Sequence, residues 1–272
     1  MTVSKQPKGI QAIGIGFGLL ESLASARKPM SLGALAGAAG MAPSKARFYL
    51  VSFLRLGLVN QDPVSGLYTL GPGAIRLGLS ALEQFDVVVA SKTVVHRLAD
   101  QLGFSTYLAV WGTHGPTVVY RADGKSWTSL DVRVGTVLPL LSSATGRAFL
   151  AYLPRSITRT LAEREIKESK MHGGRQFRPE DIIRKTRKDA LAVAEATLFT
   201  EITAIGSPIL DYSGLPAAVI SIAGRVGGLD DSTSGRAARL LRAATAELSR
   251  QLGFDGDWSV TRPQSMRAAR QE

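Results

Sequence analysis

Along the first seventy residues, hydrophobic positions recur three times at helical intervals and then twice in short extended runs. Ile10, Ile13, Phe17, Leu20 and Leu23 fall three or four apart, with Gln11, Glu21 and Ser22 largely off that face, which predicts an amphipathic helix. Ser31 is placed to cap a short second helix through Ala39, with Leu32, Leu35 and Ala36 as its buried edge. Gly40 ends it by supplying a left-handed residue, and Met41-Ala42-Pro43 makes the turn. Pro43 suits the first position of a third helix, which runs to about Leu56 and stops at Gly57. Ala46, Tyr49, Leu50, Phe53 and Leu54 form its apolar side. Ser44, Lys45, Phe48, Val51, Ser52 and Arg55 lie opposite, with Arg47 at the flank. Leu58 to Gln61 and Leu67 to Leu70 then read as two strands joined by a turn at Asp62-Pro63-Val64-Ser65-Gly66.

Beyond the hairpin, Pro72 to about Leu82 carries Ile75, Leu77, Leu79 and Leu82, consistent with a helix leaving it. Val87 to Leu102 places Val88, Ser91, Val95, Leu98 and Leu102 on one face of another. From Phe104 the period drops to two. Ser105 to Val110 and Thr117 to Tyr120 read as a hairpin across Gly112 to Gly115, and Trp127 to Val132, Ser207 to Leu210 and Ala217 to Ala223 supply further strands. Helices are expected at Thr145 to Tyr152, Pro154 to about Glu168, Pro179 to Ala192 and Ser232 to Leu252. Hairpins with helices inserted and appended predict an α+β domain, a mixed sheet covered by helices. The expected organisation is a helical domain with a hairpin over residues 1–71, connecting helices over 72–102, the α+β domain over 103–253, and a disordered polar tail over 254–272.

Charge and composition narrow the chemistry. Hydrophobic residues are 45% of the 272, so the chain can bury a core, and the net charge of +11 favours anionic partners. Up to Leu70, seven basic residues stand against two acids. Arg155 to Lys188 holds eleven basic and five acidic residues outside that domain and reads as solvated helix faces, so total charge overstates the case for DNA. Cysteine is absent, which excludes a disulfide scaffold, a thiolate metal site and a cysteine nucleophile, and fits a reducing compartment. His96, His114 and His172 are too scattered for a zinc motif; no metal or cofactor is expected. Gly14-Ile15-Gly16-Phe17-Gly18 follows no strand and is rejected as a dinucleotide loop. Lys5 and Lys8 ahead of an apolar stretch, with Ala24-Ser25-Ala26 beyond, mimic a secretory leader, but the glycines and the helical spacing favour the amphipathic helix. A cytoplasmic protein without a membrane span is expected.

Three short helices followed by a hairpin are the order of a winged helix-turn-helix, whose third helix fits the DNA major groove. The bland alternative is a solvated helical domain with a basic surface. In the second domain, Ser142-Ser143-Ala144-Thr145-Gly146 leads into a helix whose first N–H groups are unpaired, a place for a carboxylate. Ser143 serves equally well as a helix cap. No nucleophile-elbow, zinc-protease or phosphate-loop motif is present, so catalysis is not expected. The competing readings are a small-molecule-binding protein or enzyme with an incidental helical domain, and a structural DNA-binding protein without an effector.

The run Gly40 to Leu50 with Gly57-Leu58-Val59 resembles the turn and recognition helix of IclR-type bacterial transcriptional regulators, and Leu67 to Gly71 is similar to that family's wing ending. Gly135 to Leu140 with Ser143 to Ala148 looks like the family's effector-domain motif, and Ile205 to Ile209 and Val219 to Gly224 resemble its late strands. The resemblance spans roughly Gly9 to Gly253 in order. It implies a homodimer or tetramer on a double-stranded operator, controlling a catabolic or transport operon through a small organic acid bound in a GAF-like C-terminal domain. The faces of the third helix assign DNA contact to Lys45, Arg47 and Arg55 as cations and to Ser44, Phe48 and Ser52 on the groove-facing side. The resemblance also bears on the second domain. It assigns the effector pocket to Leu130, Leu138, Ser143, Ala144, Thr145, Gly146, Ala194, Ile202, Ala204, Ser221 and Ala223. Two departures matter. Phe48 stands where a basic residue is frequent. Ala194, Ala204 and Ala223 replace acidic, Cys and Ser side chains, which argues against a tiny, highly polar acid and for an apolar or aromatic one.

Overall fold

The computed structural model describes residues 9–125, 132–172, 174, 176–195 and 201–256 and divides between Gln84 and Phe85 into two units. In the first, α1 (Gln11–Ala26), α2 (Leu32–Ala38) and α3 (Pro43–Arg55) precede a hairpin of β1 (Val59–Gln61) and β2 (Tyr68–Leu70), and then α4 (Pro72–Gln84). Ser31 caps α2 by accepting the Ala34 N–H, and Pro43 opens α3. Asp62 holds the hairpin turn: its carboxylate accepts the Ser65 N–H, the Ser65 hydroxyl and the Val64 N–H, bonds that keep its pKa below the ordinary carboxylate value. Met30 adds a backbone bridge to Tyr68, tying the start of α2 to the hairpin.

The core of this unit is Leu19, Leu23, Leu35, Ala36, Ala46, Leu50, Val59 and Tyr68. The periodic stripe expected on α1 is rotated. Leu19 is fully buried, whereas Ile13 is 67% exposed and Phe17 55%. The cause is close packing at Gly16, where a Cβ would sit 3.0 Å from the Tyr49 ring and 3.1 Å from Phe53. α1 therefore meets α3 at its glycine, which turns Leu19 inward; because α1 is apolar on nearly every side, spacing alone does not fix that choice.

The second unit runs α5 (Val87–Leu102), β3 (Ser105–Gly112), β4 (Gly115–Ala122), α6 (Ala144–Tyr152), α7 (Arg155–Met171), α8 (Pro179–Asp189), β5 (Ala192–Glu195), β6 (Ile202–Leu210), β7 (Pro216–Arg225) and α9 (Arg236–Gln251). Its sheet has the order β4-β3-β7-β6-β5. The α+β architecture stands. All pairings among the described strands are antiparallel, where the sequence suggests a mixed sheet. The helix expected to reach Ala192 ends at Asp189, because Ala190 turns left-handed (φ 49°) and the chain enters β5 instead. Ala192 to Glu195 reads as helical on local preference, but hydrogen bonding to β6 makes it an edge strand. The strand expected at 127–132 falls almost wholly on residues 126–131, outside the described residues, as does the tail from 257.

Alternation along the strands separates two faces. Leu108, Ile205, Ile209, Ile220 and Ile222 pack with Val95 and Leu98 of α5 and Leu241 and Leu248 of α9. Ala109, Ala192 and Val219 point the other way and meet Ala148 and Phe149 of α6. The basic run over α7 and α8 is laced with ion pairs, including Arg155–Glu180 and Arg184–Asp181, as solvated faces would be. Arg187 is the exception; half-buried, its Nε donates to the Ala151 carbonyl near the end of α6.

Candidate functional site

Two surfaces carry the chemistry, one in each unit. On α3, Ala46 and Leu50 are buried while Ser44, Lys45, Arg47, Phe48, Ser52 and Arg55 are all exposed. Phe48 is 79% exposed, a large aromatic in water beside three cations. Ser44, Phe48, Ser52 and Arg55 share one face at intervals of three and four, with Lys45 and Arg47 along its edges. The Ser52 hydroxyl back-bonds to the Phe48 carbonyl at 3.4 Å and keeps its lone pairs outward.

In the second unit the first turn of α6 lies against the sheet. Gly206 on β6 makes this possible, since a Cβ there would meet the Ala144 carbonyl oxygen at 3.0 Å. Gly146 packs instead against the loop that precedes the helix, where a Cβ would sit 2.2 Å from the Pro139 carbonyl oxygen and 2.5 Å from the Leu140 Cα. Ser143 is the cap. Its hydroxyl accepts the Gly146 N–H at 2.8 Å and donates to the Pro139 carbonyl at 2.6 Å. Thr145 donates to the Ser221 hydroxyl at 2.9 Å, which leaves the Ser221 proton available to a bound oxygen. Among the described residues the backbone N–H groups of Ala144 and Thr145 make no hydrogen bond.

The strand register assembles the wall beneath. Ala194 pairs with Ala204, Ala204 with Ala223, and Ala223 with Ser105, so the three alanines lie side by side in one cross-strand row. The adjacent row on the same face runs Tyr107, Ser221, Gly206, Ala192. Leu138, Ile202, Ala204 and Ala223 share a cluster with Tyr107, Val118 and Val132. The sheet and the start of α6 thus bring together the residues expected to bind an effector, apart from Leu130, which lies outside the described residues. Ser143 is taken up by the cap. Tyr107 and Val118 were not anticipated; strand alternation from Ser105 places Tyr107 on the same sheet face, but only the pairing with β7 sets it beside Ser221.

The turn that delivers α6 is held from α7. Glu165 accepts the Leu140 N–H at 2.6 Å and the Leu141 N–H at 2.8 Å. Burial raises its pKa above the ordinary glutamate value, against the pull of these two bonds. Arg147, part of the motif around α6, is structural: its Nε donates to the Leu141 carbonyl at 2.7 Å and its second nitrogen to Val193 of β5. Among the described residues no three His, Asp or Glu side chains are grouped to hold a metal, and no helix is long and apolar enough to cross a membrane.

Comparison with known proteins bears on both surfaces. The family model for the IclR C-terminal domain of bacterial transcriptional regulators matches residues 79–250, and that for the IclR helix-turn-helix domain matches residues 12–63. The glycerol operon regulatory protein of Streptomyces coelicolor is 26% identical over 221 residues, 80% of this chain and 86% of that protein. The HTH-type transcriptional repressor AllR of Salmonella typhi is 24% identical over 258 residues, covering 91% and 92%. The crystal structure of Pseudomonas aeruginosa HmgR superposes with a TM-score of 0.75 at 32% identity, covering 91% of this chain and 100% of that one.

Because the folded state holds the Glu165 proton more tightly than the unfolded chain, its stabilising contribution is present at low pH. That contribution is lost as pH rises through the raised pKa. Denaturant unfolding between about pH 4 and 7 is expected to show this downward slope in Glu165-dependent stability, and Glu165→Gln to remove it. An identical pH profile for the two proteins would contradict the assignment.

Proposed function

Because the chain belongs to the IclR family of bacterial transcriptional regulators, we propose that a carboxylic acid with an apolar body is the effector that controls its hold on operator DNA. The chain is a ligand-responsive, DNA-binding transcriptional regulator and not an enzyme. One observation carries the effector assignment: the row Ala194, Ala204, Ala223 lies on the same sheet face as Ser221, which is bonded to the open first turn of α6. Unpaired N–H groups and the helix dipole supply the anion site without a charged side chain. The alanine row offers no polar partner to a second carboxylate or carbonyl. An unpaired polar group buried there would cost about 1–3 kcal/mol, which disfavours glyoxylate-sized acids.

In the first unit we assign Ser44, Phe48 and Ser52 to the groove-facing side of a recognition helix, with Lys45, Arg47 and Arg55 as cationic contacts. Exposure of these six residues supports the reading, and Phe48 offers apolar contact to a thymine methyl. A single short helix reads few bases, so a symmetric homo-oligomer on a roughly palindromic site is expected. The exposed Ile13, Phe17, Ile75 and Leu77 of α1 and α4 supply apolar surface for that assembly. Relatives are named for a glycerol operon and an acetate operon, and we place this chain likewise over a catabolic or transport operon, acting in the cytoplasm.

Three outcomes test this reading. Arg47→Ala is expected to weaken operator binding by about 1–3 kcal/mol if it pairs with a base, or uniformly with a shallower salt dependence if it meets phosphate. Unchanged affinity in gel shifts at two salt concentrations would remove α3 from the interface. Light scattering is expected to give a dimer or larger assembly, and a monomer bound to a full operator would contradict it. Aromatic or medium-chain carboxylic acids are expected to raise the melting temperature and alter operator affinity where glyoxylate does neither, with Ala204→Ser weakening the apolar acid. Preferential saturable binding of glyoxylate would contradict the pocket assignment.

A further inference from the structure

Between α8, β5 and the loop that leads into α9 lies a cleft of about 470 Å³, a volume typical of small-molecule sites. It shares no residue with the alanine row or with Ser143 to Gly146. One face of α8 supplies its charge. Arg178, at the N-cap of that helix, is followed by Lys185 and Lys188 at intervals of seven and three, and all three are exposed. Their neighbours Arg184 and Arg187 are engaged by Asp181 and by the Ala151 carbonyl. Among the described residues, the side chains of Arg178, Lys185 and Lys188 form no ion pair or hydrogen bond. Two acids also line the cleft; Arg184 holds Asp181 at 2.7 Å, which leaves Asp189 against three cations.

A buried hydroxyl faces the same space. Thr186, on the inner side of Lys185, is 3% exposed and lines the cleft, yet among the described residues its hydroxyl makes no hydrogen bond. Enclosed hydroxyls are ordinarily paired, so this one is placed for a ligand oxygen. Half-buried Phe177 and Ile182, with Leu191 beneath, give the cleft an apolar side. β5 ends the sheet, and a free strand edge is a place for an extended peptide. Here that edge is closed, because the Arg147 guanidinium donates to the Val193 carbonyl. The spacing of the cations selects the ligand. Lys185 and Lys188 stand about 4.5 Å apart along the helix axis, within reach of one phosphate that also accepts the Thr186 proton. Arg178 lies about 10 Å further toward the N-terminus and meets a second anion. We propose that this cleft is a ligand site of its own, for an organic bisphosphate whose two phosphates stand at opposite ends of a small body.

The test is calorimetry on the full-length protein with fructose 1,6-bisphosphate and adenosine 3′,5′-bisphosphate, and with the monophosphates fructose 6-phosphate and adenosine 5′-monophosphate. At least one bisphosphate is expected to bind wild type about tenfold or more tightly than its monophosphate, the sugar and nucleoside arms showing which body the apolar side accepts. Arg178→Gln is expected to remove that preference. Lys185→Gln and Thr186→Val, made separately, are each expected to weaken bisphosphate binding about fivefold. Arg159→Gln, the same loss of charge on α7 outside the cleft, is expected to change nothing. Lys185 is exposed, so its variant keeps the test readable if Thr186→Val does not fold. Binding of none of these compounds, a preference that survives Arg178→Gln, or an equal loss in Arg159→Gln would overturn the site. Random-sequence duplex DNA whose affinity falls with Lys185→Gln as far as that of the bisphosphate would assign this face to nucleic acid and overturn it likewise.

Discussion

The close approach of α6 to the sheet is the constraint from which the second unit's chemistry follows. A helix normally stands off a sheet by the length of its side chains, yet here Gly206 brings strand backbone against the backbone of Ala144 and Thr145, and Gly146 lets the preceding loop fold as closely onto the helix. The first turn of the helix is thereby set over Gly206 and Ser221, in the row beside the three alanines, rather than in water. Partial charges on unpaired N–H groups act more strongly in such a low-dielectric setting than at a solvated helix end. Ser143 closes one of those donors and fixes the turn, Thr145 ties it to β7, and Glu165 holds the two preceding residues. Each of these side chains stabilises the loop that presents Ala144 and Thr145.

Function is divided between the units, and so is the charge. In the first, three exposed cations and Phe48 crowd one helix face, and the hydrophobic core beneath is small. In the second, the denser basic run over α7 and α8 is compensated by ion pairs and by Arg187 reaching the end of α6. On the proposed reading the anion site uses backbone dipoles, whereas Arg184 and Arg187 of α8 are taken up by Asp181 and by the Ala151 carbonyl. Thermodynamic reciprocity requires that an effector which alters operator affinity be bound with altered affinity when the operator is present.

Legibility differed between the elements for physical reasons. α3 was readable because its two sides differ sharply: Ala46 and Leu50 against Ser44, Lys45 and Arg55 leave one way to face the core. α5 was readable to the residue because Asp86 caps it and Gly103 ends it in a left-handed turn. α1 was readable as a helix but not in its rotation, since apolar residues surround it and Gly16, silent in any hydrophobic pattern, decides the contact. β5 was hidden because Ala192-Val193-Ala194-Glu195 has no local preference for a strand, and its identity comes from β6. The pocket alanines could be named from the family resemblance, whereas their alignment in one row needed the register.

On the proposed reading the start of α6 receives the effector's carboxylate, and this occupancy changes the hold on DNA. Amide NMR of Ala144 and Thr145 during titration with an aromatic carboxylic acid tests both halves at once. These two N–H resonances are expected to move strongly downfield and to saturate at the ligand concentration at which operator affinity shifts. Resonances that stay in place while operator affinity responds would put the effector elsewhere.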